Sequence, residues 1–222
     1  MKKKTIYLPI EIKARELDSF ILMAKFAVQN DYRVYIGSKS AINRLLEKKK
    51  SFGGLFVFKG GLPLENIKKI RKKVDHFLIL DQEISPSCLD FKKEIRKRVW
   101  PGSEKLIDKY YVLGNKALEV SKEVLQDMSP NIIKTGWPTI DLFRKEFKFL
   151  YEKKVKEIRG KYGDFILFSS AFGFNSKKII NDFCEIKKKS AWESVKNDLD
   201  EMMKWADLSL KEFHANIDVL KK

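Results

Sequence analysis

The feature that most constrains this chain is a repeated alternation of short, almost wholly apolar runs with helical patterns. Thr5-Ile6-Tyr7-Leu8-Pro9-Ile10 is apolar and β-branched and reads as a buried strand. From Arg15 to Gln29, the residues Leu17, Phe20, Ile21, Ala24 and Val28 fall on one helical face, and Asn30-Asp31 ends the pattern. The couplet then recurs. Strands are expected at Tyr32 to Ile36, Gly54 to Phe58 and His76 to Leu80, with helices from Ser38 to Lys49 and from Leu64 to Lys73. Strands separated by helices imply right-handed βαβ crossovers and a parallel sheet. Near-continuous apolar strands imply helices on both faces of that sheet.

The middle of the chain continues the pattern less regularly. Phe91 to Arg98 reads as helix, Tyr110 to Leu113 as strand, and Asn115 to Leu125 as helix. Ile132-Ile133-Lys134-Thr135-Gly136 is strand-like, a helix is expected from about Ile140 to Arg159, and Phe165 to Phe168 suits a further strand. The last stretch, Ser190 to Lys222, is helical in pattern, with a stripe at Trp192, Val195, Leu199, Met202 and Met203. The expected fold class is α/β: a Rossmann-like parallel sheet flanked by helices, with a C-terminal helical extension. Residues 1–185 would form the lobe and residues 186–222 the helical segment.

Composition sets limits on function. The chain has 222 residues and 44% apolar content, enough for one domain with a core of normal size. No run approaches the roughly 20 apolar residues of a membrane span. The basic start Met1-Lys2-Lys3-Lys4 leads into a strand-like run rather than a signal sequence, so a cytoplasmic protein is expected. Cys88 and Cys184 lie far apart, and neither they nor His76 and His214 have metal-ligand spacing. No metal or cofactor is expected. The net charge of +16 invites a nucleic-acid reading. However, the excess is almost all Lys spread over every helix, which describes solvated faces rather than Arg-rich readout of phosphates and bases. Specific nucleic-acid binding is therefore disfavoured, while peripheral contact with an anionic membrane surface stays open. There is no P-loop and no G-x-G-x-x-G.

Ligands of open parallel sheets bind beyond the carboxyl ends of the strands, and that rule selects candidates. The first strand delivers Glu11, Arg15 and Glu16; the third delivers Lys59 with Gly60-Gly61; the fourth delivers Asp81 and Glu83. Later strand ends deliver Gly136 and Trp137, and then Ser170. Glu11 can be a cleft base or hydroxyl-binding carboxylate, or it can cap the following helix. Arg15, one of eight arginines, suits a carboxylate or phosphate, or an ion pair with Glu11 one turn away. Asp81 and Glu83 can bind hydroxyls or move protons, or simply be solvated. Gly60-Gly61 can open backbone amides to an anion or make a turn. Trp137 can stack on a sugar ring or pack against protein.

Several of these positions share a pattern. The run Leu8-Pro9-Ile10-Glu11-Ile12-Lys13-Ala14-Arg15-Glu16, followed by Val34-Tyr35-Ile36-Gly37, resembles the start of bacterial surface carbohydrate biosynthesis proteins. The resemblance continues at Leu80-Asp81-Gln82-Glu83, at Thr135-Gly136-Trp137-Pro138-Thr139-Ile140-Asp141-Leu142, and at Ile166 to Gly173. It departs at Ile84-Ser85, where the family carries a glycine. The resemblance implies one lobe of a two-lobed GT-B glycosyltransferase, distantly similar to Kdo transferases. This lobe would be the N-terminal, acceptor-side one. The donor would be a nucleotide sugar and the acceptor a glycan in surface-polysaccharide biosynthesis. Glu11 or Glu83 would be the catalytic carboxylate; Arg15 would hold an anionic group, and Trp137 and Asp141 would shape the acceptor side. The family's Arg-Pro-His-Pro-like passage to a second lobe is absent here. Since that lobe would need about 150 residues, a second-lobe polypeptide is an expected partner and the chain alone is expected to be catalytically incomplete. Two rivals remain: a non-catalytic sugar- or partner-binding module, and an anion-binding protein for nucleic acid or acidic lipid.

Overall fold

A computed structural model describes residues 4–48, 53–84, 90–167, 208 and 211–215. The chain divides into two compact units, Met1–Lys156 and Glu157–Lys222. The first contains a six-stranded sheet: β1 (Thr5–Ile10), β2 (Arg33–Ser38), β3 (Leu55–Phe58), β4 (His76–Leu80), β5 (Lys109–Val112) and β6 (Ile132–Lys134). The strand order is β2-β1-β3-β4-β5-β6, and every pairing is parallel. This is the Rossmann-like α/β arrangement that the alternation implies.

Side-chain alternation along the strands assigns the two faces. Tyr7, Phe56, Phe58, Phe77, Ile79, Tyr110 and Val112 point into one core, together with residues of α2 (Lys39–Lys48), α3 (Leu64–Arg71), α4 (Phe91–Arg98) and α5 (Gly114–Val124). Leu8, Val57 and Leu80 point to the other face, where Phe20, Leu17, Met23 and Ala24 of α1 (Lys13–Gln29) cover them. Both faces are therefore buried, which is why the strands read as continuous apolar runs rather than alternating ones. Close approach of β1 and β3 depends on Gly54. It has φ +94°, and a Cβ there would stand 2.4 Å from the Thr5 carbonyl oxygen.

Two expectations need correction. The single helix expected from Ile140 to Arg159 is instead a short α6 (Pro138–Asp141), a 3-10 turn (Lys145–Leu150) and α7 (Glu152–Tyr162). The rings of Phe143 and Tyr151 stack with centroids 6.4 Å apart, whereas a continuous helix would separate those positions by about 12 Å along its axis. The chain folds back to make that contact. The strand expected from Phe165 does not form over the described residues. Phe165, Ile166 and Leu167 carry no ladder, and Ile166 is 86% exposed. In the second unit, residues 211–215 are helical as the pattern implies. The apolar stripe around Trp192 and Met202-Met203 and both cysteines lie outside the described residues. Among the described residues no helix is long and apolar enough to cross a membrane.

Candidate functional site

From β1 the chain moves out to β2 and then crosses back over β1 to reach β3. Neighbouring connections thus leave β1 and β3 towards opposite faces, and the crevice at their carboxyl ends is the usual ligand position of such sheets. Glu11 follows β1 directly, Lys59 follows β3, and Asp81 to Glu83 follow β4. Three of the sequence-selected groups therefore converge at one place because the strands are parallel and paired in register.

Lys59 is the centre. Its Nζ lies 2.7 Å from Glu83 Oε1, 3.0 Å from Glu11 Oε2 and 3.4 Å from Glu16 Oε1. Around it, Lys39 Nζ sits 2.5 Å from Glu11 Oε1 and Arg15 Nη2 sits 3.2 Å from Glu83 Oε1. Arg98 Nη1 is 2.8 Å from Glu83 Oε2, and its Nη2 donates to the Lys59 carbonyl at 2.9 Å. Arg98 Nε lies 3.5 Å from Asp81 Oδ2. Four carboxylates (Glu11, Glu16, Asp81, Glu83) thus meet four cations (Arg15, Lys39, Lys59, Arg98) with no net charge. Lys59 and Arg98 are nearly buried and Arg15 is half exposed, so the network has an inner layer and a solvent-facing rim.

The acidities follow from this packing. Burial pushes Glu11 upward, but hydrogen bonds from Lys39 and Lys59 outweigh it and hold the carboxyl below its ordinary value. Glu83 behaves alike: burial is outweighed by Lys59, Arg98 and Arg15. For Lys59 burial favours the neutral amine, yet its bonds to Glu83 and Glu11 raise its pKa above the ordinary value. All three are charged at neutral pH.

The inner residues have defined structural partners. Glu16 reaches back over the start of α1, accepting from the Glu11 N–H at 2.8 Å and the Ile12 N–H at 3.4 Å. It satisfies donors that a helix N-terminus leaves unpaired. Asp81 accepts from the Glu83 and Ile84 amides through Oδ1 and from the Tyr110 hydroxyl through Oδ2 at 2.7 Å. That pins the loop after β4. Burial, followed by the Asp81 charge, pushes the Tyr110 hydroxyl well above its ordinary pKa. Gly60 and Gly61 have φ of +97° and +76°, and the Gly61 amide donates to the Arg98 carbonyl at 2.8 Å. The glycine pair is therefore a turn docked on the end of α4.

The remaining candidates come from the loop after β6. Gly136 has φ +94° and open space around it. Trp137 is half-buried just before α6. Asp141 pairs with Arg144 at 2.8 Å. Thr139 Oγ1 donates to Gln82 Oε1 at 3.3 Å, tying α6 to the loop that carries Asp81 and Glu83. Ser170 lies outside the described residues. Arg15 pairs with Glu83 rather than with Glu11. Sequence reasoning missed Arg98, Lys39 and Tyr110. Strand-end logic finds what directly follows a strand; it would have reached Lys39 beside β2 but not Arg98, which comes from the end of a helix.

Comparison with family models, curated proteins and solved structures returned no match. The chemistry of the site therefore rests on its own geometry. It offers alternating acceptors and donors at a sheet edge, a half-buried indole at the same edge, and among the described residues no group of acidic, His or Cys side chains fit to hold a metal.

Proposed function

We propose that this chain is the acceptor-side lobe of a glycosyltransferase of surface-polysaccharide biosynthesis, holding a glycan over the crevice between β1 and β3. One observation carries the reading: eight charged groups converge there with no net charge. A hydroxyl both donates and accepts, so a sugar can bridge a carboxylate and a neighbouring ammonium without adding charge. A phosphate finds no surplus of positive charge, because Arg15, Lys39, Lys59 and Arg98 are already paired. This moves Arg15 from holder of an anionic group to partner of Glu83.

In this reading Glu11 receives the acceptor hydroxyl. Lys39, its outer partner, is a third exposed and can swing aside, whereas Glu83 is gripped by three cations. Glu11 would orient the hydroxyl and take its proton as the hydroxyl oxygen bonds to the anomeric carbon of a nucleotide sugar and the bond from that carbon to the phosphate oxygen breaks, the nucleotide leaving with the electron pair. A lowered pKa makes it a modest base, so orientation is its main contribution. Trp137 would give one ring face to the sugar. The nucleotide sugar would be held by a second lobe. The same modest basicity favours a second reading, a sugar-binding module without transfer.

Two measurements test the proposal. Calorimetric titration with neutral oligosaccharides should show saturable binding that Glu11→Gln or Trp137→Ala weakens about tenfold, equivalent to about 1.4 kcal/mol. Unchanged affinity in both variants would sink the site. Nucleotide-sugar turnover on mixing with a second-lobe protein then separates transferase from binding module.

A further inference from the structure

The helices that cover the sheet bury apolar residues in pairs: Ile42 and Leu46 on α2, Ile67 and Ile70 on α3, Phe91 and Ile95 on α4. The 3-10 turn (Lys145–Leu150) and α7 bury none. This stretch is nevertheless apolar along one side. Tyr151, Val155, Ile158 and Tyr162 recur at helical spacing, which puts them on one face. The Val155 amide donates to the Tyr151 carbonyl at 2.8 Å, so Tyr151 belongs to the same helical frame. Val155 and Tyr162 are exposed, and so are Phe149 and Leu150 just ahead of them, Phe149 by 67%. Single exposed apolar side chains are ordinary, but a contiguous run of them marks an interaction surface.

We infer that this surface binds the face of an anionic lipid bilayer. The helix lies in the plane of the interface, with Phe149, Leu150, Val155 and Tyr162 turned towards the acyl chains. The charges beside the apolar run decide the occupant. Between Lys145 and Tyr162, the cations Lys145, Lys148, Lys153, Lys156, Arg159 and Lys161 stand against the acids Glu146 and Glu152, while Lys154 and Glu157 each have partners. At 3.6 residues per turn, Arg159 and Glu152 border the apolar face on one side, and Lys161 borders it on the other with Lys154. Lys161 Nζ lies 4.9 Å from the Tyr162 ring centroid, a cation held beside the apolar face. Lysine is depleted from protein–protein interfaces but attracted to anionic membrane surfaces. Leu150 and Val155 have no ring to stack on a base, which single-stranded nucleic acid would use. A basic polar face opposite an aromatic and aliphatic one is the composition of an interfacial helix.

Co-sedimentation of the full chain with vesicles of equal parts phosphatidylcholine and phosphatidylglycerol tests this. Partition should be at least about tenfold stronger than to vesicles of phosphatidylcholine alone and should weaken as salt rises. Phe149→Ser with Leu150→Ser should lower it about tenfold or more, and Val155→Ser with Tyr162→Ser repeats the test on α7. Circular dichroism confirms that each variant is folded. Lys153→Glu with Lys156→Glu should also lower partition about tenfold, whereas Lys69→Glu with Lys72→Glu, an equal change of charge at the end of α3, should matter far less. Equal binding to neutral vesicles, or wild-type binding by both apolar variants, overturns the inference. An equal loss from the α3 pair also overturns it, by showing only diffuse attraction of a basic chain. A dimer detected by light scattering that Phe149→Ser with Leu150→Ser abolishes overturns it too, by giving the surface to a second copy. The inference does not depend on the glycan reading: none of these substitutions touches the crevice.

Discussion

Replacing Lys59 with methionine removes the one cation that contacts Glu11, Glu16 and Glu83 together. Removing one partner of a buried ion pair costs about 3–5 kcal/mol, because the other charge is left uncompensated. Here Glu16 is almost fully buried, while Glu11 and Glu83 are nearly a third exposed and keep Lys39, Arg15 and Arg98. The loss should therefore sit at or just below the bottom of that range, about 2–3 kcal/mol. With a urea dependence of about 2 kcal/mol per molar, the midpoint should fall by roughly 1–1.5 M. Amide exchange in β3 and β4 reads the loss in the sheet unit itself. The pH dependence is the sharper check. Glu11 and Glu83 titrate below their ordinary value when folded, so their contribution is complete above about pH 4.5 and is lost as pH falls through the folded value. Lys59 titrates above its ordinary value, so its contribution is complete below about pH 10.5 and is lost as pH rises through the folded value. The gap between wild type and Lys59→Met should be full at pH 7 and narrow as pH falls below about 4.5. A midpoint unchanged at pH 7, or a gap that stays constant as both carboxyls are titrated, would refute the electrostatic account of the crevice.

Two further outcomes follow from the same geometry. Tyr110→Phe removes the buried hydroxyl bond to Asp81 and should cost about 1.5–3 kcal/mol in urea unfolding, with the loop after β4 exchanging amides faster; an unchanged midpoint would show that the hydroxyl does not hold the loop. Gly54→Ala forces a Cβ against the Thr5 carbonyl at positive φ and should cost at least about 2 kcal/mol, read as a lowered midpoint for the sheet unit, whereas a neutral effect would show that β1 and β3 can part freely.

The sheet was legible because burial on both faces leaves its mark on every residue of a strand. Phe56-Val57-Phe58 sends two rings to one core and the valine to the other, and no polar position interrupts the run. Local patterns misled where a distant contact decided the outcome. Phe143, Phe147 and Leu150 recur at helical spacing, yet the Phe143–Tyr151 stack bends the chain back. Phe165-Ile166-Leu167 has strand composition, yet these residues form no ladder among the described residues. The site divides in the same way. The positions of Glu11, Lys59, Asp81 and Glu83 followed from strand ends. Their pairing did not: Arg98 reaches Glu83 from 15 residues further on and Tyr110 reaches Asp81 from 29 residues further on. Spacing in one dimension carries no information about those partners.

The charge balance of the crevice also sets how a bound sugar should respond to salt. A ligand entering the crevice exchanges one neutral set of partners for another, so added salt should change its affinity little. A steep loss of glycan affinity on adding salt would refute the balanced-charge reading of the crevice.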